Sequence, residues 1–109
     1  MNAQVARIRE LNDQLRKNLI GGRVLMTPGI VALGPESVER IVKAITVFDD
    51  FCSENDPYTE HDFGALDVAG QKVFFKIDYY DKAFRNHSPD PSDPTVTERV
   101  ITLMLAEEY

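Results

Sequence analysis

The stretch Asn55 to Asp81, NDPYTEHDFGALDVAGQKVFFKIDYYD, holds most of the chain's aromatic residues, one of its two histidines and its densest carboxylates. From Val73 to Tyr80 the residues alternate. Val73, Phe75, Ile77 and Tyr79 share one side of an extended strand and Phe74, Lys76, Asp78 and Tyr80 the other. Upstream, residues 61–68 supply a partner strand, and Ala69-Gly70 a two-residue turn in which glycine takes the positive φ that tight hairpins need. The turn sets the register of a hairpin 61–68/72–80. Val68 faces Gln71, while Leu66 faces Val73 and Gly64 faces Phe75 on the inner side. Asp67 meets Lys72, Phe63 meets Lys76 and His61 meets Asp78 on the outer side. The register therefore predicts a histidine and a carboxylate as cross-strand neighbours.

Working outward, Val5, Ile8, Leu11, Leu15 and Leu19 recur at spacings of three and four, with Arg7, Arg9, Glu10, Asp13, Arg16 and Lys17 between them. This predicts an amphipathic helix over 3–20, stopped by Gly21-Gly22. Arg23 to Thr27 and Ile30 to Leu33 read as short β segments within 23–33, joined by a Pro28-Gly29 turn. Pro35 and Glu36 open a second helix, 35–51, whose apolar stripe is Val38, Ile41, Val42, Ile45 and Phe48. Asp93 as N-cap and Pro94 at the first helical position predict a third helix over 94–107. The expected fold is α+β, one compact domain over 1–109, with a small antiparallel sheet covered on one face by three helices.

The chain has 109 residues, 43% of them hydrophobic and 28% charged, which suits one soluble core. A single cysteine, Cys52, rules out an internal disulfide and fits a reducing compartment. The first residues lack the apolar core of a signal peptide, and the longest uncharged run, 24–35, is too short to span a bilayer. The expected location is the cytoplasm. The net charge of −6 is unevenly spread: residues 1–27 carry five basic and two acidic side chains, residues 28–67 two basic and nine acidic. Asp49, Asp50, Glu54, Asp56, Glu60, Asp62 and Asp67 follow one another with no Lys or Arg among them. Such a surface repels nucleic acid and attracts basic proteins or cations, and with no spanning segment no membrane contact is expected. The plain alternative is a solvated acidic loop.

The blocks NDPYTEHDFG and KVFFKIDYYD, with the closing DPTVTERVITLMLAEEY, resemble a small bacterial family, a domain of unknown function, similar to short alphaproteobacterial proteins often encoded on plasmids and prophage-like elements. The resemblance runs from about Gly29 onward. Thr59, where the family pattern expects Gly, and Phe75, where it expects Trp, depart from it. The family brings no catalytic residues. A small acidic mobile-element protein implies an inhibitor of a host defence protein, of the anti-CRISPR or antirestriction type.

Two functional readings follow. In the first, the chain is a non-enzymatic binding protein: Glu54, Asp56, Tyr58, Glu60, His61, Phe63, Phe74, Lys76 and Tyr80 form an acidic lip and an aromatic sheet face. That surface would engage a basic, nucleic-acid-binding partner without a cofactor, its carboxylates imitating part of the field of a duplex. In the second, His61 and Asp78 are the centre of a metal-dependent hydrolase or metal-binding module. Glu60 or Asp62 would complete a divalent-ion site, since hard ions want several oxygens and transition metals add imidazole. No nucleophile elbow, phosphate loop or CxxC spacing supports further chemistry.

Overall fold

The structure, a computed structural model, describes residues 3–109. Its elements are helix α1 (Ala3–Asn18), strand β1 (Arg23–Met26), helix α2 (Pro28–Val31), helix α3 (Pro35–Thr46), strands β2 (Phe63–Val68), β3 (Gln71–Tyr80) and β4 (Glu98–Leu105), and a closing 3₁₀ turn, Ala106–Glu108. The four strands form one sheet in the order β1-β4-β3-β2. The fold is α+β, as expected, with the sheet mixed rather than purely antiparallel because β1 runs parallel to β4. No helix among the described residues is long and apolar enough to cross a membrane.

The β2–β3 hairpin has the expected register: Val68 opposite Gln71, Leu66 opposite Val73, Gly64 opposite Phe75 and Phe63 opposite Lys76. Ala69 and Gly70 both take positive φ, 54° and 76°, the turn geometry whose twist matches the strands it joins. Val73, Phe75, Ile77 and Tyr79 point inward and are buried. With Ile101 and Leu103 of β4 they meet Ile8 and Leu15 of α1, Ile30 of α2, and Ile41 and Ile45 of α3. Full burial of Phe75 alone contributes about 2–3 kcal/mol. Its ring stands edge-on to Phe48, 5.3 Å between centroids. Gly64 makes that packing possible, for a Cβ there would lie 2.2 Å from the Phe75 ring.

Three expectations are corrected. Residues 94–107 are not a helix: Asp93 Oδ1 accepts from the Thr95 backbone N–H and hydroxyl, an Asx turn rather than an N-cap. The chain then enters β4, the central strand between β1 and β3. Buried on both faces, it has the continuous apolar run of a central strand, and its β-branched Val100, Ile101 and Thr102 favour extension. The segment from Ile30 is not β. Pro28 opens the one-turn helix α2, and the Thr27 backbone O accepts from Val31 N–H. The longer helices stop early, α1 at Asn18 as Leu19 turns to φ 58°, and α3 at Thr46, leaving Phe48 and Phe51 to pack from a loop.

Candidate functional site

Residues 47–62 link α3 to the hairpin, and the structure divides their side chains between two faces. One set turns inward. His61 has φ 57°, so the chain leaves the extended conformation just before β2 and the imidazole swings toward α1. There Nδ1 meets Asp13 Oδ1 at 2.8 Å, and the ring lies flat on Phe51, 3.9 Å between centroids and 3° between planes. Asp56 is also inside. One of its carboxylate oxygens accepts the His61 backbone N–H at 3.0 Å, and the other lies 3.8 Å from Nε2. Behind them sits Arg16, 1% exposed, which donates to Asp13 and to the carbonyls of Ile45 and Phe48 at the end of α3. Its guanidinium lies over the Phe51 ring at 5.2 Å.

A second network lies beneath α1. Asn12, fully buried, accepts from Arg99 Nε at 2.7 Å and donates to Tyr79 Oη at 2.7 Å and to the Glu60 carbonyl at 3.0 Å. The Tyr79 hydroxyl in turn donates to the Glu60 carboxylate at 2.9 Å. Burial holds the Tyr79 phenol well above its ordinary range and pulls Arg99 down from its own. Arg99 also donates to the Pro91 carbonyl and lies over the Tyr79 ring at 5.1 Å, tying β4 to the proline loop. Satisfied buried networks of this kind hold elements in one arrangement.

The other set faces outward. Phe63 and Phe74 meet across β2 and β3, 5.1 Å between ring centroids, and Tyr109 packs on both at 5.8 and 5.7 Å. The helices leave this face of the sheet open at the β2 side. Nearer β1 it is covered by Phe84, which lies under Arg23 at 4.6 Å and beside Tyr80. Between the aromatic cluster and residues 54–58 runs a groove of about 450 Å³, walled by Tyr58, Phe63 and Tyr109 and by Glu54, Asp62, Lys76 and Asp78. Lys76 Nζ pairs with Asp78 at 3.2 Å. Asp62 takes part in none of the ion pairs among the described residues. Burial, with Glu60, Asp56 and Asp78 as like-charged neighbours, pushes its carboxyl up to about 6.

Several expected site residues therefore part company. His61 and Asp78 are not cross-strand partners: the ladder begins at Phe63, His61 turns to α1, and Asp78 stays on the outer face with Lys76. Glu60 and Asp62 likewise diverge, one bound to Tyr79 and the other lining the groove. Among the described residues no group of three or more His, Cys, Asp or Glu side chains is placed to hold a metal ion. Asp56 and Glu60 leave the acidic lip because their carboxylates serve internal hydrogen bonds. Tyr58, Phe63 and Lys76 do share one groove, and Glu54 stands at it. Sequence reasoning missed Asn12, Asp13, Arg16 and Arg99, whose contacts span up to 87 residues, and also Tyr109.

A family model described as a protein of unknown function, DUF3768, matches residues 26–108. The chain belongs to this family. The DUF3768 match takes in the hairpin, the 47–62 loop and every groove residue except Tyr109, and begins after α1. No curated protein and no solved structure matches the chain. Thr59 stands at φ 56°, where glycine is unstrained, and Phe75 is the ring that fills the space over Gly64.

Proposed function

We propose that this DUF3768 protein is a binding module that recognises a partner through a basic surface, without a reaction of its own. The observation that carries the reading is the open groove in which Glu54, Asp62 and Asp78 face the rings of Tyr58, Phe63 and Tyr109. Tyr58 and Tyr109 are 72% and 76% exposed, and aromatic side chains so placed, rimmed by charge, suit a protein contact. Asp49 and Asp50, both exposed, extend the negative field beyond the groove. Such a field speeds encounter with a cationic surface and makes it salt-sensitive.

The finer reading is a mobile-element inhibitor that occupies the nucleic-acid site of a host defence protein by imitating the charge of a duplex. Its carboxylates are Asp49, Asp50, Glu54 and Asp67, the outward ones, and not Asp56 or Glu60, whose replacement would test folding instead of binding. The test is capture of nucleic-acid-binding proteins on the immobilised chain at low and high salt. Expected is salt-reversible capture, sharply reduced when Asp49, Asp50 and Glu54 are neutralised to Asn, Asn and Gln. Unchanged capture by the neutralised chain removes the mimicry.

A further inference from the structure

We infer that the groove on the outer sheet face is a specificity pocket for one arginine side chain of the partner, an assignment that rests on the binding-module reading. Its floor and walls combine what a guanidinium needs. The rings of Tyr58, Phe63 and Tyr109 offer apolar and π surface, and Glu54, Asp62 and Asp78 offer carboxylate oxygens. Lys76 cancels only one of these charges, through Asp78 at 3.2 Å. The volume of about 450 Å³ is that of a small-ligand site and open at the surface, so a side chain can enter from a partner's exposed segment.

Arginine fits better than lysine. A planar guanidinium stacks on a ring while its edge donates to carboxylates, whereas an ammonium is a compact, strongly hydrated point charge. Three arginines of the same chain already lie over rings, Arg16 over Phe51 and Phe75 at 5.2 and 5.9 Å, Arg23 over Phe84 at 4.6 Å and Arg99 over Tyr79 at 5.1 Å, and Arg16 also donates to the Asp13 carboxylate. Asp62 is the residue that makes the pocket responsive. Its charged neighbours are Glu60 and Asp56 on its own loop and Asp78 on β3, and it shares the groove with Glu54, Lys76, Tyr58 and Tyr109. The carboxylates outnumber the single ammonium, so an incoming cation relieves a repulsion already present. Its carboxyl titrates at about 6, so a guanidinium that requires the ionised form binds about tenfold more weakly at pH 5 than at pH 7.5.

The test is an amide-resolved NMR titration of the full chain with a blocked Gly-Arg-Gly peptide, beside the same peptide carrying uncharged citrulline. Expected are shifts centred on Asp62, Phe63, Lys76 and Tyr109 with arginine and none with citrulline, and the tenfold loss at pH 5. In Asp62→Asn, binding should be weak at both pH values and the pH dependence gone. Equal shifts with citrulline, shifts elsewhere on the surface, or unaltered binding by Asp62→Asn overturn the pocket. Salt-reversible capture of basic proteins without groove shifts would sink the pocket and leave the binding module standing. Absence of both would sink the two together.

Discussion

His61 and Asp13, 48 residues apart in the chain, close a 2.8 Å hydrogen bond that fastens the 47–62 loop to α1. The same Asp13 oxygen accepts from Arg16, so one carboxylate holds a loop histidine and a helix arginine together. The loop that frames the groove is thereby held from behind by groups that never face it.

His61→Ala removes this bond and the stack on Phe51. The expected loss is about 1–2 kcal/mol, a fall of several degrees in thermal midpoint for a domain of this size. An unaltered melt would mean that other contacts hold the loop.

Asn12→Ala strips Arg99 Nε of its acceptor and Tyr79 of a donor in a buried site. Leaving a buried charge short of a partner costs about 3 kcal/mol. Urea denaturation should show a lower midpoint with little change in slope, and a loss below 1 kcal/mol would mean that water reaches the network.

Glycine exchanges at two positions should act in opposite directions. Thr59→Gly relieves a β-branched residue at φ 56° and gains about 0.5 kcal/mol once the extra freedom of the unfolded chain is set against it. Gly64→Ala forces a methyl into the Phe75 and Phe48 rings and loses about 2 kcal/mol or more. Chemical denaturation of the pair checks both signs.

Asp62 sets a pH dependence. Its carboxyl titrates at about 6 in the folded protein against 3.8 as the ordinary value, so the folded form binds more protons between about pH 4 and 6. The Asp62 contribution to stability therefore falls as pH rises through that window. Asp62→Asn should be more stable than the parent at pH 7, by about 1 kcal/mol after allowance for its half-exposed position, with the gain vanishing near pH 4. A difference that does not vary with pH would contradict the assignment.

The hairpin was legible because two local signals agree, the alternation of Val73 to Tyr80 and the Ala69-Gly70 turn, and a register once set carries along the ladder. Its outer face, with Phe63, Phe74, Lys76 and Asp78, followed from the same period of two. β4 was not legible: a strand buried on both faces loses its alternation, and Asp93-Pro94 begins an Asx turn as readily as a helix. His61 was misplaced by one dihedral, since a left-handed residue ends the period that assigned it to Asp78's side. The buried roles of Asn12 and Arg16 on α1 were not legible, because their long-range partners lie 29 to 87 residues away and short-range spacing carries no trace of such distances.

The place of β4 between β1 and β3 also bears on the order of assembly. β1 has its ladder partner in β4, so during synthesis it must wait until α2, α3 and the hairpin that lie between them have emerged. The β2–β3 hairpin can close at once, whereas the inner faces of α1, α2 and α3 lack the cover of Ile101, Leu103 and Leu105 for that interval. A nascent chain halted before residue 98 thus presents bare apolar surface and an unpaired β3 edge, the condition in which chaperone capture or aggregation competes with folding.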